Sequence, residues 1–220
     1  ALAGAGAAEV VGVDADPQMV AAAASRRPSG RFLCADACQV QAALPDSAEA
    51  FDGVWCAFVA GHFPGRQLER TLASWARLLK PGGWICLVDL EGLFSVHRPF
   101  AETRWARDFR QLDDDLESII KYDAFVGKRL AQACRKAGFR VLDEREWPAS
   151  TEYNFEGPGS ADQVAAWAVR MESHLFRPVF QRYFRDFEQA AKETFLECLR
   201  SQEHTSRCKV RMVIGRRPTA

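Results

Sequence analysis

An open α/β sheet, mainly parallel and wound with helices, is the architecture the sequence predicts, and three observations carry that reading. Short apolar, β-branched runs at 9–13, 31–35, 51–58 and 84–88 alternate with stretches of helical character. Three of these runs stop on an acid: Asp14, Asp36 and Asp89. The connections between them have the length of the crossovers that join parallel strands, which are right-handed.

The elements follow in order. Residues 9–13 form a strand ending at Asp14, and Asp16-Pro17 opens a helix over 17–25, with Asp16 as N-cap and proline at the first helical position. Residues 31–35 are the next strand. Residues 51–58 read as a buried strand and 66–79 as an amphipathic helix, stopped by Lys80-Pro81-Gly82-Gly83 before a buried strand at 84–88. Charged and aromatic residues over 98–117 predict a helix; 125–137 predicts another, ended by Gly138 and followed by a strand at 139–146. Residues 148–160 have loop composition. A long helical stretch at 161–201, broken near Pro178, leads to a last strand at 208–214. That strand alternates, with Lys209 and Arg211 on one face, which predicts an antiparallel strand near a sheet edge.

Bulk properties narrow the classes. With 220 residues, 48% of them hydrophobic, the chain can bury one sizeable core, so it reads as a single domain over 1–220 with helical insertions at about 93–122 and 161–203. A formal net charge of zero provides no field for phosphate backbones, so nucleic acid is not an expected partner. The seven cysteines show no CxxC and no short histidine spacing, which predicts neither a metal site nor a disulfide framework. Cys56 and Cys86 sit in apolar runs, as small buried hydrophobes do. No apolar run approaches the roughly 20 residues that span a bilayer, and no basic signal-peptide start is seen. The expectation is a soluble, cytoplasmic protein with no membrane partner.

In open α/β sheets, ligands bind outside the carboxyl ends of the parallel strands, and Asp14, Asp36, Phe58 and Asp89 stand at those ends. Carboxylates there can accept from ribose hydroxyls or an adenine amine. Taken singly, each is also an ordinary cap. In combination, the residues resemble the class I S-adenosylmethionine-dependent methyltransferases of the small-molecule type. The matching segments are Val11-Gly12-Val13-Asp14-Ala15-Asp16-Pro17-Gln18-Met19, Ala35-Asp36-Ala37, Phe51-Asp52-Gly53-Val54-Trp55, Leu78-Leu79-Lys80-Pro81-Gly82-Gly83-Trp84 and Lys136-Ala137-Gly138-Phe139.

The resemblance implies a Rossmann-like methyltransferase sheet with helices on both faces, an antiparallel last strand and S-adenosylmethionine as cofactor. By it, Asp14 and Ala15 meet the ribose, Met19 packs on the adenine, and Asp36 with the backbone of Ala37 reads its amine edge. Cys56, Ala57 and Phe58 lie beside the methionine part. The family's glycine-rich loop follows a strand that is absent from this sequence. Gly4 and Gly6 lie ten and eight residues before Asp14, too close to leave room for the intervening helix, and read as the helix tail. The domain is therefore expected to be N-terminally incomplete, its first strand missing.

Methyl transfer is an in-line displacement for which alignment and exclusion of water suffice, and a protonated acceptor adds the need for a base. His62 and Asp89 are the catalytic candidates; His97 is nearby in sequence but has the setting of a solvated loop residue. Phe94, Trp105 and Tyr153 are candidate substrate walls, whereas Phe176, Phe180, Phe184 and Phe187 have core spacing, as Phe109 can. His174 and His204 receive no role. The expected partner is a small-molecule methyl acceptor. Two alternatives stand beside this reading: a non-catalytic methyltransferase-like binding module, and a nicotinamide-dependent oxidoreductase.

Overall fold

The computed structural model describes residues 9–146 and 153–219; Gly4, Gly6 and part of the 148–160 loop lie outside them. Strand β1 (Val11–Asp14) pairs in parallel with β2 (Arg31–Cys34). Helix α1 (Pro17–Arg26) connects them, capped by the Asp16 side chain, which accepts from the amide of Gln18. A short helical turn at Ala37–Gln39, capped by Asp36, runs into α2 (Val40–Ala43).

A second sheet has four strands in the order β3 (Phe51–Ala57), β4 (Leu79–Glu91), β8 (Lys209–Arg216) and β6 (Arg140–Glu146). The β3 and β4 strands are parallel, and β8 is antiparallel to both β4 and β6. The last strand is thus antiparallel, as expected, but it lies inside the sheet, with β6 on the outside. Its two-sided burial, at Val210, Met212, Val213 and Gly215, explains the position. Among the described residues no strand bridges β1 and β3.

Lys80-Pro81-Gly82-Gly83 does not simply stop a helix. Helix α3 (Gln67–Ala76) ends earlier, and the four residues form a bulged turn inside β4, where Phe51 faces Leu79 but Gly53 already faces Trp84. Pro81 precedes Gly82 at φ 74°, the pairing a type II turn requires. Lys80 bonds Asp52 at 2.7 Å. Gly53 is obligatory, because a Cβ there would meet the Trp84 ring at 2.0 Å. The two motifs are therefore one interlocked feature.

Helices cover both faces of the sheet. Successive β4 residues point to opposite sides: Ile85 and Leu87 join an apolar cluster with Leu72 of α3 and Leu130 of α5 (Leu130–Lys136). Cys86, Val88 and Leu90 face the other cluster, built on α4 (Thr103–Ile120), α6 (Ala161–Glu172), α7 (Arg177–Tyr183) and α8 (Thr194–Arg200). A π-helical segment at Phe187–Glu193 precedes α8, and the break near Pro178 falls between α6 and α7, so that the proline opens α7. In this second layer Phe94, Phe109, Trp167, Phe180 and Phe195 are fully buried. Phe94 is consequently core, with four aromatic rings edge-on around it, and not a substrate wall. Buried Asp113 anchors the loop that carries it, accepting from the amides of Leu93, Phe94 and Ser95.

A small ladder joins β5 (His97–Arg98) to β7 (Thr205–Ser206). His97 is not solvated: it is fully buried, and its Nδ1 lies 3.0 Å from Nε2 of buried His204. Phe155 stacks on His204 at 4.2 Å, and Trp167 and Phe195 close over His97. Burial, then His204, Arg170 and Arg98, push the His97 imidazolium down to about 3; burial also lowers His204. The folded state then holds the pair neutral while an unfolded histidine takes a proton near its ordinary 6.5. Stability should fall as pH drops from about 6.5 towards 3, by up to about 1.4 kcal/mol per pH unit for His97, with His204 acting in the same direction. Thermal unfolding from pH 7 to 4 checks this: His97→Phe should give a shallower acid slope, and equal slopes would remove the pair as the cause.

Candidate active site

The site is assembled at the carboxyl ends of β1 to β4. Asp14, closing β1, and His62, in the helical turn Ala60–His62 just past β3, are close enough that the carboxylate favours the imidazolium. The two pieces of sheet therefore bring their strand ends together.

Asp14 is exposed and uses Oδ1 to accept from the Asp16 amide at 2.9 Å. Asp36, past β2, is likewise exposed and uses Oδ1 for the Cys38 amide at 2.8 Å. In each carboxylate one oxygen fixes the orientation, and the second makes no hydrogen bond to the other described residues and so can accept one from a ligand. Ala15 is exposed beside Asp14, and its carbonyl takes the Cys34 thiol. The Ala37 carbonyl is occupied by the Trp75 indole at 2.8 Å, so its amide is the group left to read a base. Met19, on the first turns of α1, is 53% exposed and free to cover a ring.

At the end of β3 the three expected residues differ. The Cys56 side chain is buried among the apolar residues packed on α3 and α5, and burial drives its thiol up to about 12. Only its backbone can face a ligand. Ala57 is half-buried on the opposite side. Phe58 has φ 58°, uncommon for a bulky side chain, and is held there by its amide bond to the Val88 carbonyl at 2.8 Å. Its ring is 40% exposed and stacks on Tyr153 at 5.5 Å. Tyr153 thus reaches the end of β3, while Trp105 packs away on Phe184.

Asp89 ends the apolar run of β4 and is 1% exposed. Its Oδ2 accepts from the Gly61 amide at 3.2 Å and its Oδ1 from the Leu90 amide at 2.8 Å. Burial raises this carboxyl to about 6, against the pull of those amides. It clamps the turn that presents His62. The His62 ring stays accessible at its edge, yet the groups around it disfavour the charged form, with Asp14 opposing.

Two residues were not singled out in the sequence. Tyr122 follows Lys121, whose φ of 59° ends α4, and its buried ring meets His62 edge-on at 5.0 Å. Arg170 of α6 donates to the Tyr153 hydroxyl at 3.0 Å and covers the Tyr153 and Trp167 rings. Neither stands in a motif; only helix ends and packing reveal them. A separate recess between Pro64-Gly65 and Asp114, Glu117, Ser118 and Lys121 of α4 and its end does not include Asp14 or Asp36, and its own carboxylates are engaged by Arg110 and the Gly65 amide.

Residues 1–87 match a family model described as a methyltransferase domain. No curated protein matches the chain. Among solved structures, a Bacillus halodurans C-125 protein assigned as a methyltransferase is 17% identical, with TM-score 0.58 over 96% of this chain and 84% of its own. The [4+2]-cyclase SpnF is 19% identical, with TM-score 0.53 over 96% of this chain and 67% of its own. A Haemonchus contortus phosphoethanolamine N-methyltransferase, solved with phosphomonomethylethanolamine and S-adenosylhomocysteine, is 16% identical, with TM-score 0.52 over 96% of this chain and 43% of its own. At such identity these likenesses establish the fold: a Rossmann-like α/β methyltransferase sheet. The match to the methyltransferase-domain model covers the first 87 residues, and over the rest of the chain the likeness is one of fold. Among the described residues no helix is long and apolar enough to cross a membrane.

Removing the clamp should be felt in stability. Asp89→Ala leaves two buried amides without an acceptor, which costs about 2–4 kcal/mol. Urea unfolding checks this; an unmoved midpoint would show that the carboxylate carries no such load.

Proposed function

We propose that this chain transfers the methyl group of S-adenosylmethionine to a small organic acceptor, with His62 taking the acceptor's proton. The observation that carries the proposal is the pair of outward-facing carboxylates, Asp14 and Asp36, beside an accessible imidazole held neutral. Asp14, with Ala15, holds the ribose hydroxyls; Asp36 and the Ala37 amide read the adenine edge, and Met19 covers its face. The Cys56 and Ala57 backbone and the Phe58 ring border the methionine end.

Bound there, the cofactor supplies an electrophilic methyl group on a sulfonium. The residues of this chain do the rest. Phe58 and Tyr153 wall the acceptor, the helical layer of 93–122 and 161–203 excludes water from it, and His62 accepts the proton that the acceptor loses as its new bond to carbon forms. Asp89 keeps His62 in place. The site is aromatic-walled and the chain has no net charge, which favours a small acceptor over nucleic acid.

Calorimetry with S-adenosylmethionine tests the reading, with NADH as control. Asp14→Ala should weaken binding by about a hundredfold, the worth of two hydrogen bonds to a charged group. Equal binding by the variant, or a preference for NADH, would overturn it. Once an acceptor is in hand, His62→Gln should lower kcat by about a hundredfold or more.

A further inference from the structure

We infer that Tyr122 is the positioning residue of this site: its ring seats the His62 imidazole against the end of β4, so that α4 and the β3–α3 turn act as one unit. The inference rests on His62 being the acceptor's base. Three contacts converge on the turn. The Gly61 amide donates to Asp89, the Gly61 carbonyl accepts from the Asp123 amide at 2.8 Å, and the Tyr122 ring lies against His62. The turn is therefore gripped through both backbone groups of Gly61, which precedes His62, and by an aromatic ring against the imidazole.

The fit is close. A Cβ on Gly61 would lie 3.1 Å from Cε2 of Tyr122 and 3.1 Å from the Asp123 carbonyl oxygen, so a larger residue at position 61 would have to push the ring or the backbone aside by a few tenths of an ångström. Tyr122 is backed in turn by Phe176 at 5.5 Å, edge-on, and its place is set by the left-handed Lys121. The ring thus links His62 to the aromatic layer that also holds Trp167 and Tyr153. The Tyr122 hydroxyl bonds to none of the other described residues, so the ring carries the role.

The charged and titratable groups around the imidazole are Asp14 at the end of β1, Asp89 beneath the turn at the end of β4, and Tyr122 and Asp123 past α4. Asp14 favours the imidazolium, whereas enclosure opposes it. Removing the aromatic face should therefore raise the His62 midpoint.

The test is an NMR titration of the histidine ring protons, with His62 assigned by its loss in His62→Gln. Tyr122→Leu should raise the His62 midpoint by about half a unit or more as water reaches the ring, and Tyr122→Phe should restore the native value. Gly61→Ala, which pushes the ring from the other side, should move His62 in the same direction while keeping the phenol. A His62 midpoint unmoved in both Tyr122→Leu and Gly61→Ala overturns the inference. Calorimetry with S-adenosylmethionine on the same samples separates the outcomes: loss of the methyltransferase reading shows there, and loss of the seating shows only in the His62 resonances.

Discussion

Burial of β4 on both faces is the constraint from which the site follows. Ile85 through Leu90 are all buried, so this strand has no solvent face on which to end a polar side chain cheaply. Asp89 is the polar residue in that run, and a buried carboxylate must find donors or lose its charge. It finds them in the backbone of Gly61 and Leu90. The need to solvate one carboxylate with amides draws the β3–α3 turn onto the strand end, and the turn brings His62 with it. A requirement of the core thereby positions an exposed imidazole at the strand ends.

The opposite wall depends on a different set of bonds. Residues 153–157 are strapped to the chain before β8: Asn154 both donates to and accepts from Cys208, the Phe155 amide bonds the Ser206 hydroxyl, and Glu156 bridges to Thr205. Under this strap lies the neutral His97–His204 pair. Tyr153, at its leading end, therefore reaches Phe58 from a segment whose footing is polar yet buried. Such footing is specific in geometry and sensitive to protonation, whereas the Phe94 cluster behind it is neither.

Much of this was legible in the sequence, for physical reasons that can be named. Strand periodicity and acids at strand ends located β1 to β4, because two-sided burial writes itself as continuous apolar runs. The Lys80–Gly83 pattern was legible as a signal, but its meaning needed coordinates: Gly53 clears space for Trp84, and Asp52 reaches Lys80. The inside place of β8 was hidden because Lys209 and Arg211 lie at its start, paired in charge with Glu146 and Glu91, and mimic an edge. His97 and Phe94 were misplaced for a shared reason. Both lie between β4 and α4, where β5 has only two residues and no period distinguishes buried from exposed, and what buries them is the distant α6–α8 layer. Tyr122 was invisible for the same cause.

The fold alone leaves the chemistry open, since a cyclase shares it with methyltransferases. What separates one reaction from another on such a sheet is the electrostatic layout at the strand ends. An electrophilic sulfonium needs alignment and a dry wall, which Phe58 and Tyr153 offer. An acceptor that sheds a proton needs a base whose resting state is uncharged, and the enclosure of His62 favours that form even with Asp14 nearby. Asp89, although the more buried acid, is already committed to backbone amides and is poorly free to take a proton from a substrate. On the proposed reading a division of labour follows: the acid inside the core holds the turn, and the imidazole at its rim is the group offered to an acceptor.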